Sequence, residues 1–204
     1  MPVKNKPIIA ISMGDPCGIG PEIICKSLSE IIFEYDFQPL ILGNFDALEH
    51  IDKLIKTHLK FLKIDSLSRI SELNSEIIPV MDDSNLDFSK ISPGVISAVA
   101  GDASMKWVLH SGRLANSKQV AAVVSCPINK ESCGLAGSKA IGHMELFQEQ
   151  TKSENVATML MTPGLRVVHL STHKSLKKAC DYVTFKNVYS KIELIHNDFK
   201  KIWI

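Results

Sequence analysis

Two polar residues occupy positions at which an α/β enzyme could bind a ligand. His143 lies in Gly142-His143-Met144-Glu145, at the predicted start of a helix, where an imidazole can contact a substrate phosphate or hydroxyl. Lys130 follows a predicted core strand, and an ammonium at the end of such a strand can meet a phosphate. Each residue could instead have no role in ligand binding, since backbone groups can satisfy the hydrogen bonds of a histidine and most lysines are solvated. Residue type and position alone leave both alternatives open.

Two further histidines have metal-ligand spacing. His169 and His173 form H-x-x-x-H, which on a helix places both rings on one face. The surrounding sequence, Val167-Val168-His169-Leu170, instead predicts a strand, in which four residues span about 13 Å. Two rings that far apart cannot share one metal ion. At most one is therefore a ligand, and His173, at the predicted strand end, is the better placed.

A glycine-rich segment, residues 14–22 (Gly-Asp-Pro-Cys-Gly-Ile-Gly-Pro-Glu), joins a predicted strand to a predicted helix. Backbone N–H groups at such a junction can face an anionic ligand. The spacing matches neither G-x-G-x-x-G nor a P-loop, so a tight structural turn is the favoured interpretation, and a nicotinamide cofactor would have to be held in another way. Hydrolase chemistry is disfavoured, because the sequence has no G-x-S-x-G elbow and its cysteines carry no nucleophile signature.

Short apolar runs alternate with longer amphipathic stretches, and these elements must position the candidate residues. The runs are β-branched and too short for helices, which predicts buried strands. The alternation predicts an α/β architecture with a parallel sheet. The polar segment 82–93 is predicted to be a surface loop or a boundary between structural units. Strands are predicted at Ile8–Ile11, Leu40–Gly43, Leu59–Ile64, Ile77–Val80 and Val120–Val124, and helices at Pro21–Ile32, at Leu48–Leu54 with Asn44 as the cap, and at Gly94–Asn116.

The last quarter of the sequence has a hairpin pattern followed by a helix pattern. Predicted strands at Val156–Met161 and Leu165–Ser171 flank Thr162-Pro163-Gly164, which is typical of a tight turn. Thr184 is a candidate cap for a helix from Phe185 to about Lys200.

Composition restricts the classes of partner. The 204 residues carry 23 Lys+Arg and 22 Asp+Glu, a formal net charge of +1, and only 6% are aromatic, so nothing indicates nucleic-acid binding. No apolar run has the length of a membrane span. The cysteines are odd in number and contain no C-x-x-C pair, which favours a reducing cytosol. They are Cys17, Cys25, Cys126, Cys133 and Cys180.

Taken together, five motifs in order and spacing resemble the 4-hydroxythreonine-4-phosphate dehydrogenase family of pyridoxal phosphate biosynthesis. They are residues 14–22, Pro127-Ile-Asn-Lys-Glu131, Gly142-His143-x-Glu145, Leu165-Arg-Val167 and Thr172-His173. The resemblance implies a three-layer α/β/α fold like that of isocitrate and isopropylmalate dehydrogenases, a homodimer, and oxidation of phosphorylated 4-hydroxythreonine with NAD or NADP. A divalent ion (Zn, Mg or Co) would polarise the reacting hydroxyl, and the β-keto acid formed would then lose carbon dioxide.

The resemblance also implies residue roles. His173 corresponds to a metal ligand and His143 to a substrate contact, and Lys130 is a further substrate-binding candidate. Met144 occupies the position of a substrate-binding threonine in the family, and its thioether cannot donate the hydroxyl's hydrogen bond. Related dehydrogenases oxidise other phosphorylated hydroxy acids or cyclic diols, so the substrate stays open at this point.

Members of this family are considerably longer than 204 residues. The chain is therefore expected to be the N-terminal portion of a two-lobed dehydrogenase, with a lobe boundary in 82–93. The second portion would carry the other two metal-binding histidines and the cofactor-binding residues. A metal held by one histidine would bind weakly, because catalytic sites generally use about three protein ligands. The chain alone is then expected to expose core surface and to lack turnover, or to be a non-catalytic remnant or subunit.

Overall fold

The computed structural model describes residues 6–32, 34–74, 76–138, 142–172 and 174–203, with side chains up to residue 200. The chain divides into two compact units, Met1–Thr151 and Lys152–Ile204. Within the described residues, no helix combines the length and the apolar character that a membrane span requires.

Five parallel strands form the sheet of the first unit among the residues that the structure describes. They are β1 (Ile8–Ser12), β2 (Gln38–Leu42), β3 (Lys60–Lys63), β4 (Ile77–Met81) and β5 (Ala122–Ser125), in the spatial order β3-β4-β2-β1-β5. Ile11 of β1 lies opposite Ile41 on one side and Val124 on the other. Since the strands are parallel, their carboxyl ends meet at one edge of the sheet, where open α/β sheets bind ligands.

In the described part of the first unit, five α-helices accompany this sheet, as the alternating pattern predicts. They are α1 (Gly20–Ile31), α2 (Phe45–Ile55), α3 (Ala98–Asn116), α4 (Lys130–Leu135) and α5 (His143–Thr151). Helix α1 packs against α2, whereas α3 packs against β1, β2 and β5. Asn44 caps α2 as predicted, because its Oδ1 accepts from Ala47 N at 3.0 Å. The predicted α/β/α fold is confirmed, with element boundaries that coincide with the expected ones or differ from them by up to four residues.

The core lies between these layers. All five residues of β2 are buried, as expected for the central strand of a parallel sheet. Trp107 of α3 is fully buried, and its indole N–H donates to Asp82 Oδ1 at 3.0 Å. Asn44 Nδ2 donates to the Leu86 carbonyl at 3.0 Å, so the start of segment 82–93 packs within the first unit. The lobe boundary predicted in 82–93 for the longer dehydrogenase stays a prediction.

The second unit begins with the predicted hairpin. Strands β6 (Met159–Thr162) and β7 (Leu165–Val168) are antiparallel, and Gly164 takes a positive φ of 80° in the turn. Helices α6 (Leu176–Asp181) and α7 (Phe185–Trp203) follow, and the Thr184 hydroxyl accepts from Asn187 N at 3.2 Å as a cap. The prediction that the second strand of this hairpin, β7, extends to Ser171 is wrong. Its pairing with β6 ends at Val168, so His169 lies beyond the strand.

Candidate active site

The ends of β1 and β5 form the candidate site. Beyond β5, Cys126 N donates to Ser12 O at 2.9 Å, and beyond β1, Asp15 N donates to Pro127 O at 2.9 Å. These reciprocal backbone bonds hold the glycine-rich segment against the loop that leads from β5 to α4. Two of the five motifs that carry the family resemblance therefore meet at the carboxyl edge of the sheet.

Glycine at position 14 is required by this contact. Gly14 has a φ of 72°, and a Cβ there would lie 2.3 Å from Pro127 O and 2.7 Å from Cys126 O. No side chain fits against two backbone carbonyls at such distances, and a positive φ is itself unfavourable for other residues. A Cβ at Gly20 would lie 2.0 Å from Met13 O. These glycines thus pack against the chain's own carbonyl groups, which supports the structural-turn interpretation over an anion cradle.

Asp15 is a buried carboxylate in this turn that sequence reasoning did not single out. It is 5% exposed, and its Oδ1 accepts from Cys17 N at 2.9 Å. Burial raises the pKa of Asp15, and the hydrogen bond from Cys17 opposes that rise. The signal in the sequence was an aspartate directly after a buried strand, inside a glycine-rich turn. The carboxylate fixes the turn that holds the two strand ends together.

His143 begins α5, as predicted, and its ring lies against the end of β5. Burial lowers the pKa of His143, and a hydrogen bond from the ring to the Cys126 backbone opposes this shift. Its Nε2 is buried and has no hydrogen-bond partner among the described residues. In a neutral imidazole one nitrogen donates and the other accepts. A ring that donates to Cys126 therefore keeps the Nε2 lone pair available for another donor.

The packing of α5 on α3 fixes the position of this imidazole. Leu146 is buried, and Gln150 Nε2 donates to the Leu109 carbonyl of α3 at 2.7 Å. A Cβ at Gly112 would lie 2.0 Å from Gln150 Oε1, so the Gln150 side chain would have to shift to accept one. Helix α3 in turn packs on β1 and β5. His143 is thus held by the same layer that supports the two strand ends.

Lys130 lies on the same loop that leaves β5. The side chain of the preceding residue, Asn129, caps α4 by accepting from Glu131 N and Ser132 N, both at 3.0 Å. Lys130 itself is exposed at the first position of α4. The structure therefore places Lys130 at the carboxyl edge of the sheet, with its ammonium accessible to solvent.

The other candidates are placed only in part. Met144 is half-buried on α5, next to His143. His169 lies in the second unit, where its backbone N–H donates to the Thr158 carbonyl at 3.4 Å. His173, the predicted metal ligand, lies outside the described residues. Among the residues that are described, no three metal-ligating side chains come together. The described residues therefore do not supply the three ligands that a divalent metal site generally needs.

Three of the five thiols are buried near this edge. Burial raises the pKa of Cys17 and Cys133, and the nearby Asp15 carboxylate adds to both shifts. Burial raises the pKa of Cys126 to about 11. Thiols that stay protonated are poor nucleophiles, which agrees with the absence of a nucleophile signature. These three cysteines therefore pack the site as protonated thiols.

Comparisons with known proteins show which family and which relatives this chain is similar to. The family model of the pyridoxal phosphate biosynthetic protein PdxA matches residues 36–204. A Clostridium botulinum protein provisionally named D-threonate 4-phosphate dehydrogenase is 36% identical over 196 residues, which are 93% of this chain and 57% of that protein. A protein of the same provisional name from Halalkalibacterium halodurans is 36% identical over 189 residues.

Solved structures show the same fold. The 4-hydroxythreonine-4-phosphate dehydrogenase from Burkholderia phymatum superposes with a TM-score of 0.86 at 29% identity, over 98% of this chain and 60% of that one. The enzyme of that name from Klebsiella pneumoniae gives 0.86 at 31% identity and the same coverage. The chain thus spans little more than half the length of the curated relatives it matches. It belongs to the family of the pyridoxal phosphate biosynthetic protein PdxA.

Proposed function

We propose that the chain is the N-terminal portion of a dehydrogenase that oxidises the C3 hydroxyl of a 4-phosphorylated hydroxy acid with NAD or NADP. The substrate is 4-phosphohydroxy-L-threonine, and the β-keto acid formed decarboxylates to 3-amino-2-oxopropyl phosphate in pyridoxal 5'-phosphate biosynthesis. Membership of the PdxA family supports the class of reaction. The observation that carries the proposal is the buried Nε2 of His143, unpartnered among the described residues, at the carboxyl edge of the sheet.

His143 acts as a substrate contact. An uncompensated buried nitrogen costs about 1–3 kcal/mol, a cost that a ligand can relieve by donating a hydrogen bond. Burial lowers the pKa of His143, so the ring is neutral near pH 7. A neutral ring that donates to Cys126 accepts at Nε2, which matches a substrate hydroxyl or ammonium group better than a phosphate oxygen. His143 therefore orients the hydroxy acid part of the substrate.

Lys130 binds the phosphate end in this proposal. Its ammonium is exposed at the start of α4, on the loop that continues from Cys126. A lysine holds a phosphate as a point charge and reaches it on a flexible stem. The contact therefore adds affinity without fixing the angle of approach.

A second substrate is favoured by Met144 and by the names of the curated relatives. D-threonate 4-phosphate has the same phosphate and the same C3 hydroxyl, but carries a hydroxyl in place of the amino group at C2. Its oxidation and decarboxylation would yield dihydroxyacetone phosphate. A thioether replaces the hydrogen-bonding hydroxyl that the family has at position 144, which changes what the site can hold near C2.

The cofactor and the metal belong to the complete enzyme in this proposal. No three metal-ligating side chains come together among the described residues. The other metal ligands and the cofactor-binding residues are proposed to lie in the part of the enzyme that this chain does not span. His173 is proposed as this chain's single metal ligand. The complete enzyme is proposed to be a cytoplasmic homodimer, as the family resemblance implies.

NADH formation tests this proposal. The purified 204-residue chain is supplied with each of the two 4-phosphates, NAD or NADP, and zinc or magnesium. We expect no turnover from the chain alone, and turnover once it is extended by the segment of the Clostridium botulinum relative that it does not span. In the extended chain, His143→Gln lowers kcat/KM by about 10-fold or more, as expected for losing one buried hydrogen bond. Metal-dependent turnover by the 204 residues alone, abolished by His173→Ala, would overturn the incomplete-site proposal.

A further inference from the structure

The backbone carbonyl of Cys126 is the contact that fixes the ring of His143. The ring donates a hydrogen bond to the Cys126 backbone, and its Nε2 is buried with no partner among the described residues. The donor is therefore Nδ1, because one nitrogen of a neutral imidazole carries the proton and the other accepts. The hydrogen bond made by one ring nitrogen sets which of the two is protonated. A displaced Cys126 carbonyl would thus no longer favour the tautomer in which Nε2 accepts.

The glycine-rich turn holds this carbonyl in place. Asp15 N donates to Pro127 O at 2.9 Å, directly after the carbonyl that accepts from His143. The backbone of Gly14 approaches the same two residues, since a Cβ there would lie 2.7 Å from Cys126 O and 2.3 Å from Pro127 O. The position of the acceptor for the His143 ring therefore depends on how the backbone at Gly14 and Asp15 is held.

The carboxylate of Asp15 holds that backbone. Its Oδ1 accepts from Cys17 N at 2.9 Å, two residues further along the chain, as in an Asx turn. Asp15 is 5% exposed and Cys17 is 4% exposed, so water has little access to this hydrogen bond. Without the carboxylate, a buried N–H would lose its partner, and the turn would have to shift to find another. Such a shift displaces Asp15 N and, with it, the bond to Pro127 O.

We infer that Asp15 is a positioning residue for His143. Through the Cys126–Pro127 peptide, its carboxylate keeps the imidazole proton on Nδ1 and leaves the Nε2 lone pair for the substrate. This role does not require Asp15 to touch the substrate. The inference rests on the proposed function in one respect, since it takes Nε2 of His143 as the atom that meets the substrate.

Nitrogen NMR of the His143 ring in the 204-residue chain tests this inference without requiring substrate or turnover. A protonated and an unprotonated ring nitrogen have well-separated chemical shifts, and the His143 signals are assigned by their loss in His143→Gln. In the parent chain at neutral pH, we expect the proton on Nδ1. Asp15→Asn keeps an oxygen that can accept from Cys17 N but carries no charge, whereas Asp15→Ala removes the oxygen.

We expect Asp15→Asn to keep the tautomer of the parent chain. Asp15→Ala should lower the ratio of the Nδ1–H to the Nε2–H tautomer by at least about 3-fold, as for the loss of one hydrogen bond. Asp15→Glu keeps the charge but places it one carbon further from the backbone. It should therefore behave like Asp15→Ala, and it decides the question if the alanine variant does not fold.

Asp52→Ala is the matched control, because Asp52 Oδ1 likewise accepts from a backbone N–H, that of Leu59, at 3.0 Å. Asp52 lies on α2 and should leave the tautomer ratio of His143 unchanged. A single cooperative thermal transition establishes that each variant is folded.

An unchanged ratio in the folded Asp15→Ala or Asp15→Glu chain would overturn the inference, and so would an equal fall in Asp52→Ala. A fall in Asp15→Asn as large as that in Asp15→Ala would overturn it too, because the charge and not the bond to Cys17 N would then be responsible. Failure of the proposed function is a separate result, since His143 can respond to Asp15 in this way while neither 4-phosphate is oxidised. A parent chain with the proton on Nε2 would contradict both.

Discussion

Replacing Gly14 with alanine tests whether the contact between the two strand ends determines the stability of the first unit. The new Cβ would lie 2.3 Å from Pro127 O and 2.7 Å from Cys126 O, and both oxygens belong to backbone that cannot move away independently. The residue also has a φ of 72°, which alanine adopts unfavourably. Two separate costs are therefore added by one methyl group.

The two costs can be estimated separately. The left-handed backbone costs about 1–2 kcal/mol for a residue with a Cβ. Forcing a methyl group into a filled site costs about a further 1–3 kcal/mol, since the surrounding backbone must shift. Gly14→Ala should therefore lower the free energy of unfolding by about 2–5 kcal/mol, which is a large part of the stability of an ordinary domain.

Urea unfolding followed by tryptophan fluorescence measures this cost. Trp107 is fully buried in the first unit, and a Trp203→Phe background makes it the sole reporter. Gly94→Ala is the control for backbone strain, because Gly94 has a φ of 79° but nothing within 4 Å of its Cβ position. Gly18→Ala is the control for the turn itself. Its Cβ would make only ordinary contacts of 3.5 Å, and its φ is outside the strained range.

The expected order of stability discriminates between the two costs. Gly18→Ala should be unchanged or more stable by up to about 1 kcal/mol. Gly94→Ala should lose about 1–2 kcal/mol, and Gly14→Ala should lose clearly more. If Gly14→Ala costs no more than Gly94→Ala, the turn does not pack against the end of β5 as the structure shows.

Three further predictions concern other parts of the first unit and its thiols. Asn44→Ala should lower the free energy of unfolding, measured by thermal unfolding, by about 1–2 kcal/mol, because the cap of α2 and the bond to Leu86 O are lost together. A loss no larger than that of a substitution at an exposed position would contradict this prediction. Cys180 should be the one thiol that reacts rapidly with Ellman's reagent in the folded chain, because the other four are buried and react only after unfolding. Burial raises the pKa of Cys25 to about 12 and that of Cys126 to about 11. Mass spectrometry identifies the labelled residue. Burial lowers the pKa of His143 below 6.5, so the folded chain binds fewer protons there than the unfolded chain, and stability present at neutral pH is lost as the pH falls through that lowered value. Urea midpoints at about pH 7 and pH 5 should therefore differ less in His143→Gln than in the parent chain, and equal differences would refute the assignment.

The layered fold could be predicted because local pattern and tertiary structure agree. The β-branched run at Ile8–Ile11 becomes the interior strand β1, and Asn44 caps the helix that it was predicted to cap. The hairpin was predicted from Thr162-Pro163-Gly164, and Gly164 indeed takes the positive φ that such a turn needs. The extent of β7 was not predictable, because pairing with β6 and not composition determines where that strand ends.

The candidate site was predictable only in part. The sequence placed His143 at a helix start. That its Nε2 is buried and has no partner within the described part of the chain depends on packing against Cys126, which is 17 residues away in sequence. Asp15 was not singled out, because a carboxylate in a turn is usually solvated. Bonds from Asp15 N to Pro127 O and from Gly94 N to Cys17 O hold that turn against other parts of the first unit. Exposure of Val124 likewise follows from sheet order, which no local pattern encodes.

Histidine NMR of the 204-residue chain tests the central claim that His143 contacts substrate at the carboxyl edge of the sheet. The His143 resonance is assigned with His143→Gln, and the chain is titrated with 4-phosphohydroxy-L-threonine and with D-threonate 4-phosphate. The account predicts a saturable shift of the His143 resonance with at least one of the two, while His50, which lies on α2 against the Phe88 ring, does not move. A folded chain in which neither compound shifts the His143 resonance, or in which His50 shifts equally, would contradict it.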